Sequence, residues 1–323
     1  MAMKIYLGID TSCYTTSVAA LDEAGCLVGE ARRILTVKEG NCGLMQSEMV
    51  FQHTRNLPEL MEAVLKDRDY EIAGIGVSGY PRPLENSYMP AFLAGMSVAR
   101  SLAYATGAKL HVISHQENHL EAGMWSAAGP KADKFLLLHA SGGTTDLIYC
   151  EKKADARFKL TEVGGSKDLH AGQFIDRIGV ALGLQFPAGP ALEKLAESAS
   201  EMIELPVSNR KLTISLSGPC TAAIRKLQAG SDGASLALGV EHCLAESFAR
   251  LFKKGVEEFN VRDVLLVGGV GCNKYIRHHL EEKLAKSRTR LWVPEGQFSS
   301  DNASGCAAFA WRVSEKHIRY YLV

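Results

Sequence analysis

Twice in this chain an apolar run leads into a turn of small and hydroxylated residues and then into a second run of alternating character. The first copy is "KIYLGIDTSCYTTSVAALD" at residues 4–22, and the second is "KFLLLHASGGTTDLIYC" at residues 134–150. Short runs of this kind read as strands, and the turn between them makes each copy a hairpin. In the second copy Gly142 and Gly143 are expected to supply the positive φ that a reversal needs. The first hairpin continues into a third strand, "CLVGEARRIL". The helix "MVFQHTRNLPELMEAVLKD" follows, then the buried strand "IAGIGVSG", the helix "MPAFLAGMSVARSLAYATG" closed by Gly107, and the strand "KLHVIS". The second hairpin continues through the strand "ARFKLTEVGG" and helices in "AGQFIDRIGVALGL", "GPALEKLAESA" and "ASLALGVEHCLAESFARLFKKGVEEF". The strand "DVLLVGG" and the helix "NKYIRHHLEEKLAKS" complete it. The chain is thus expected to fold as two similar α/β halves, and halves that face one another leave a cleft. With 323 residues and 46% hydrophobic content it is long enough for two cores. The domains are set at 1–113 and 114–311, with a helix over 312–323 returning to the first.

Charge and cysteine usage narrow the partners. Lysine plus arginine and aspartate plus glutamate are equal at 36 each, so no global field draws the protein onto nucleic acid or an anionic membrane. The basic segment from Lys274 to Arg290 is interrupted by glutamates and reads as a solvated helix face. The eight cysteines contain no C-x-x-C pair and read as reduced thiols. The N-terminus has neither a secretory nor a transit pattern, and no apolar stretch is long enough to span a bilayer. A soluble, cytoplasmic protein without membrane contact is expected.

Three turns share one layout: "GIDTSCYTTS", "HASGGTTDLI" and "LLVGGVGCNKYI". Each exposes backbone N–H groups and hydroxyls that suit phosphate oxygens, although any one alone reads equally as an ordinary tight turn. Their order along the two halves points to a nucleotide held between them. No G-x-x-x-x-G-K-[ST] is present, and no G-x-G-x-x-G follows a strand.

The segment "LHVISHQENHLEAG" carries His115 and His119 four residues apart, so on a helix they share a face and can reach one cation. Buried imidazoles that only donate hydrogen bonds give the same spacing. A zinc-peptidase motif is excluded, because it requires glutamate directly after the first histidine and Gln116 stands there.

Taken together, "LGIDTSCYTTSVA", "SHQENHLEAG", "HASGGTTDLI", "AGQFIDRIGVALGLQFPAGPALEKLA", "SLSGPCTAAIRKL", "LLVGGVGCNKYIR" and "FSSDNASGCAAFA" resemble the TsaD/Gcp family. These are threonylcarbamoyltransferases acting on adenosine 37 of tRNA, formerly catalogued as sialoglycoproteases. The resemblance covers nearly the whole chain. It implies the actin-like ATPase (ASKHA) fold of two ribonuclease-H-like lobes, with a nucleotide cleft between them. It implies a divalent metal, iron or zinc, on His115, His119 and Asp301. His139 stands where one branch of the family has a tyrosine and is expected as a fourth ligand, the competing reading being a strand histidine bonded to backbone. It implies an adenine nucleotide or threonylcarbamoyl-adenylate, with magnesium as a further cation. The binding groups would be Thr11, Ser12, Ser141, Gly142, Gly143, Thr144, Asp176, Gly189, Gly268, Gly269 and Asn273. Asp10 remains as the N-terminal carboxylate, either a base for the attacking amine or a phosphate-loop or magnesium-shell residue.

The departures are specific. Tyr14 and Thr15 replace two acids, Thr144 a histidine, Gln173 a glutamate and Cys220 a lysine, which is the pattern of a divergent paralogue. The expected reaction is metal-dependent transfer of a threonylcarbamoyl or related carbamoyl group to N6 of tRNA adenosine. The alternatives are another acceptor, or a nucleotide-binding scaffold that pairs with a transferase. A TsaB-like paralogue or a second copy is the partner the resemblance implies. A sugar kinase on the same fold has no use for the histidine pair.

Overall fold

The computed structural model describes residues 2–37, 44–66 and 69–314. These form two compact units, one made of the residues through Lys131 with those from Asp301 onward, the other of Ala132–Ser300.

In the first unit, β1 (Met3–Asp10), β2 (Thr15–Asp22) and β3 (Leu27–Ile34) form the expected meander, followed by α1 (Gln46–Leu65), β4 (Tyr70–Tyr80), α2 (Phe92–Thr106), β5 (Lys109–Ser114) and α3 (His115–Ala127). The sheet order is β3-β2-β1-β4-β5, with β1 antiparallel to β2 and parallel to β4. Gly107 ends α2 in the left-handed conformation at φ 74°, as the sequence leads one to expect. One sheet face buries Ile5, Leu7, Ile9, Val18 and Ala20 with Leu57, Leu60 and Val64 of α1 and Ala94, Ala99 and Ala103 of α2.

The second unit holds β6 (Lys134–Ala140), β7 (Thr145–Lys152), β8 (Phe158–Ser166), α4 (Ala171–Ala181), α5 (Gly189–Ala196), β9 (Ser208–Arg210) and β10 (Thr213–Ser215). It continues with α6 (Ser217–Gln228), α7 (Gly233–Phe259), β11 (Asp263–Val267), α8 (Lys274–Ala285), β12 (Arg290–Trp292) and α9 (Gly296–Ser299). Its sheet order is β12-β11-β6-β7-β8-β10-β9. Phe174, Phe248 and Phe252 are fully buried in its core, each contributing about 1.5–3 kcal/mol of burial.

The last described helix, α10 (Ser304–Arg312), returns to the first unit. Small residues let backbones meet there: a Cβ on Gly8 of β1 would lie 2.1 Å from the Ala303 carbonyl, and one on Gly305 would lie 2.0 Å from the Asn118 carbonyl of α3. A buried ion pair joins the same helices, with Arg312 Nε 2.9 Å from Glu121 Oε2 and its Nη2 bonded to Oε1. The unit boundaries therefore fall after Lys131 and before Asp301, not at 113 and 311 as expected, because α3 and α10 pack together on the first sheet. The returning helix runs over 304–312, and residues 315–323 of the expected one lie outside the described residues.

Candidate functional site

The start of α3 is set by a capping box. Ser114 Oγ accepts from Glu117 N at 3.1 Å, and Glu117 Oε2 accepts from Ser114 N at 2.7 Å, a motif worth about 1 kcal/mol. His115 is thereby the first helical residue and His119 follows one turn later, with their Nε2 atoms 3.1 Å apart. Asp301, held three residues before α10, brings Oδ1 to 3.3 Å from His119 Nε2 and 3.6 Å from His115 Nε2. A point equidistant from three atoms so spaced lies about 1.9 Å from each, so the three side chains would fit a cation with the ~2.0–2.2 Å bonds of zinc to imidazole and carboxylate. Among the described residues it is the one cluster of three His, Cys, Asp or Glu side chains close enough to share an ion. All three belong to the first unit.

Electrostatics bind the group together. Burial opposes protonation of His115, yet the carboxylates of Asp10 and Asp301 overcome it and hold its pKa up. His119 is pushed down, first by burial and then by the charge of His115. Burial raises Asp301, but the two imidazoles outweigh that and leave its carboxyl below the usual range.

Asp10 closes β1 and is fully buried. Its Oδ1 accepts from Ser12 N at 3.1 Å, and its Oδ2 accepts from Ser12 Oγ at 2.8 Å and from Asn118 Nδ2 at 3.3 Å. The same Oδ2 stands 3.6 Å from His115 Nδ1, the ring nitrogen facing away from His119 and Asp301. Asn118 also donates to the Asn302 carbonyl at 2.7 Å, so one amide ties β1, α3 and the Asp301 loop. Sequence reading missed Asn118, although its place between the two histidines, three residues after the first, was a usable signal.

Thr11 and Ser12 do not present their hydroxyls outward. Thr11 Oγ1 donates to the Ala91 carbonyl at 3.0 Å and accepts from Gly95 N at 3.1 Å, docking α2, while Ser12 serves Asp10. Cys13 takes φ 46°, and burial, followed by the charges of Asp301 and Asp10, pushes its thiol up to about 12. Of the substituted positions beside it, Tyr14 is exposed and Thr15 buried.

In the second unit β6 and β11 are parallel neighbours, with His139 opposite Val267, so the turns that leave their carboxyl ends adjoin. The first, Ser141–Thr144, is closed by Ser141 N donating to the Thr144 carbonyl at 2.8 Å. Neither Gly142 nor Gly143 adopts positive φ, because a four-residue hairpin loop is built on right-handed turn conformations. Their smallness matters for approach: α4 begins against this turn, and a Cβ on Gly172 would come within 2.6 Å of Gly142 N. In the second turn Gly268 has φ 95°, and its Cβ would lie 2.3 Å from the Ala140 carbonyl, whereas Gly269 faces open space. A single 3-10 turn, Gly269–Cys272, then leads to Asn273. Asn273 caps α8 by accepting from Ile276 N at 2.9 Å, and it donates to Glu241 Oε1 at 2.6 Å. His139 is buried on β6 and belongs to the second unit.

Asp176 is half-buried, and its Oδ1 accepts from Ala188 N at 2.8 Å, just before Gly189 opens α5. Burial raises its pKa despite that bond. Gln173 accepts from His170 N at 3.2 Å and caps its own helix. Cys220 is buried on α6 with the Arg177 guanidinium of α4 against it, so a cation from the neighbouring helix stands beside the position that lost a lysine. Asp168 carried no sequence signal. It accepts from Ser215 Oγ at 2.6 Å, Leu216 N at 3.0 Å and Ser217 Oγ, and so ties the end of β8 to the start of α6.

Against this geometry, the TsaD family model, described as tRNA N6-adenosine threonylcarbamoyltransferase, matches residues 43–308. The chain belongs to this family. The tRNA N6-adenosine threonylcarbamoyltransferase of Thermus thermophilus is 31% identical over 318 residues, covering 95% of this chain and 92% of that protein. A probable bifunctional tRNA threonylcarbamoyladenosine biosynthesis protein of Methanothermobacter thermautotrophicus is 29% identical over 305 residues. The match takes in 94% of this chain but only 54% of that relative, so the chain spans about half of its length. Among solved structures, the activator of 2-hydroxyisocaproyl-CoA dehydratase from Clostridium difficile, with bound ADPNP, aligns at a TM-score of 0.56 and 15% identity, covering 98% of this chain and 97% of that one. That likeness is one of fold, the actin-like ATPase fold. Membership of the family implies use of a metal and a nucleotide. No helix among the described residues is long and apolar enough to cross a membrane.

Proposed function

We propose that this protein transfers a threonylcarbamoyl group from its adenylate to N6 of adenosine 37 in tRNA, with one divalent cation, iron or zinc, held by His115, His119 and Asp301. The observation that carries the reading is the spacing of those three donor atoms, 3.1, 3.3 and 3.6 Å, in a chain of this family. The cation would act as a Lewis acid on the carbonyl or phosphate oxygen of the donor. The acceptor amine attacks the carbamoyl carbon, the bond from that carbon to the phosphate oxygen breaks, and AMP leaves with the electron pair while the amine proton passes to solvent.

The chain's own groups have distinct tasks in this scheme. Asp10, enclosed and already accepting three hydrogen bonds, orients the His115 ring from its Nδ1 side and is assigned to positioning, not to proton removal. In the two turns Ser141 N, Gly143 N and Gly268 N already donate within the protein, which leaves the N–H groups of Gly142, Thr144 and Gly269 to meet the AMP phosphate. Asp176 keeps Oδ2 for a ribose hydroxyl while Oδ1 holds Ala188, and Gly189 leaves open space beside it. Asn273 supports the second turn through its cap and through Glu241, and need not touch the nucleotide.

The test is nucleoside mass spectrometry on unmodified tRNA incubated with the metal-loaded protein and freshly prepared threonylcarbamoyl-adenylate, with His115→Ala as control. A threonylcarbamoyl mass gain on adenosine that is lost in the variant supports the reading. An adenylate that binds without any gain, even when a TsaB-like partner chain is supplied, assigns the protein a different acceptor.

A further inference from the structure

Two exposed tyrosines stand on segments of the first unit that meet at one buried residue, Ala91. This alanine shares a small core with Leu35, just past β3, and Met49 of α1. Its carbonyl accepts from Thr11 Oγ1 at 3.0 Å, next to Asp10, and its N–H donates to Gln46 Oε1 at 3.2 Å. The turn between β1 and β2 carries Tyr14, which is 38% exposed and whose carbonyl accepts from Leu35 N at 2.8 Å. The loop over 81–91, which joins β4 to α2 and ends at Ala91, carries Tyr88, 66% exposed.

Both segments adjoin the metal-binding group. Tyr14 follows Cys13, whose thiol feels the charges of Asp301 and Asp10. The loop rests on the same group at its two ends. The Pro81 carbonyl accepts from Gln116 N at 3.2 Å, beside His115, and Phe92, just past Ala91, sets its ring edge-on to that of His115 with centroids 6.3 Å apart. Between these ends the loop is braced by its own bonds, Arg82 N to Ser87 Oγ at 3.0 Å and Ser87 N to the Leu84 carbonyl at 3.2 Å.

Tyrosine rings left in water beside a reactive centre suit a flat ligand with a polar edge. The acceptor in the reading above is such a ligand, an adenine in a single-stranded RNA loop that must leave its stack before N6 can be approached. Stacking on aromatic side chains offsets that cost. The nucleotide of the donor has its groups elsewhere, in Asp176 and the turns of the second unit. The substitution at position 14 serves the same purpose. An acid there would repel RNA phosphates, whereas a tyrosine offers an uncharged face.

We propose that Tyr14 and Tyr88 form the stacking surface that receives the acceptor base beside the metal-binding group. The assignment rests on the tRNA reading above and adds to it two residues that touch the acceptor.

The experiment uses two fluorescein-labelled anticodon stem-loop hairpins, one with adenosine at the acceptor position and one with an abasic ribose there. The full-length, metal-loaded protein is titrated into each and followed by anisotropy, and its affinity for a sulfamate-linked analogue of threonylcarbamoyl-adenylate is measured in parallel. Wild type prefers the adenosine hairpin by about 5- to 100-fold, the range for one base stacked on aromatic side chains. Tyr14→Ala and Tyr88→Ala each cut that preference by about threefold or more, and the double variant brings the two hairpins to within about twofold. Tyr88→Phe, which keeps the ring, retains the preference, while Tyr88→Leu, apolar without a ring, loses it as alanine does. Persistence of the full preference in either alanine variant overturns the proposal. So does a matching fall in adenylate affinity or in bound metal, which would make the tyrosines supports of the metal-binding group. Equal binding of the two hairpins by wild type overturns it while leaving the tRNA reading intact. Failure of wild type to bind either hairpin, with the adenylate analogue still bound and a TsaB-like partner chain supplied, overturns the tRNA reading and the proposal with it.

Discussion

Asp10→Asn separates positioning from proton removal at the same carboxylate. In the folded chain Asp10 Oδ1 accepts from Ser12 N, and Oδ2 accepts from Ser12 Oγ and Asn118 Nδ2 and faces His115 Nδ1 at 3.6 Å. An asparagine there must place its NH2 in one of two positions. At Oδ2 it confronts the Asn118 amide, and at Oδ1 it confronts the Ser12 N–H. Either way two donors meet at a fully buried residue, which costs about 1–3 kcal/mol of stability. His115 also loses the carboxylate behind its ring, and removal of such a partner typically lowers metal affinity by about 10- to 100-fold, or ~1.4–2.7 kcal/mol. The assay is competition for zinc or iron against a chromophoric chelator, followed by transfer measured at saturating metal. Weakened metal binding with transfer restored by excess metal is the expected result. An affinity within about twofold of wild type, together with abolished transfer at saturating metal, would refute the reasoning and make Asp10 the base.

Three further outcomes are expected. Arg312→Ala leaves the Glu121 carboxylate buried and unpaired and lowers stability by about 3–5 kcal/mol in urea denaturation, much of which returns when Glu121 is also replaced by leucine. Gly268→Ala forces a Cβ to 2.3 Å from the Ala140 carbonyl at φ 95° and destabilises by about 3 kcal/mol or more, whereas Gly269→Ala, facing open space, stays within about 0.5 kcal/mol. Burial, with the charges of Glu193 and Glu197, outweighs the Asn273 hydrogen bond and raises Glu241 from 4.5 to about 7. Since the folded state then holds this proton more tightly than the unfolded one, the contribution is complete below about 4.5 and is lost as pH rises through about 7. Melting curves between those limits should decline with pH in wild type and flatten in Glu241→Gln.

What the sequence discloses and what it withholds divide along the range of the interactions involved. The two hairpins, the meander and the end of α2 at Gly107 were legible because period-two alternation and a left-handed cap are local. The pairing of His115 with His119 was legible for the same reason, being one turn of a helix whose Ser114 and Glu117 cap can be read directly. The unit boundary was not, since α3 joins the first sheet through contacts of Asn118 and Glu121 with Asn302 and Arg312, almost 200 residues on, and no local pattern announces them. The same limit explains Thr11 and Ser12. A hydroxyl-rich turn after a strand looks like a phosphate loop, and which way its hydroxyls point is decided by the neighbouring Asp10 carboxylate and by α2, which sequence alone does not place beside it. Asp301 shows the limit from the other side: it became a candidate only through the resemblance, and the small residues of α10, chiefly Gly305 against the Asn118 carbonyl, are what let its carboxylate come within 3.3 Å of His119. Chemistry-bearing residue types are thus readable when one helix or strand carries them together, whereas a donor set completed by a returning segment depends on packing that glycine and alanine permit but do not advertise.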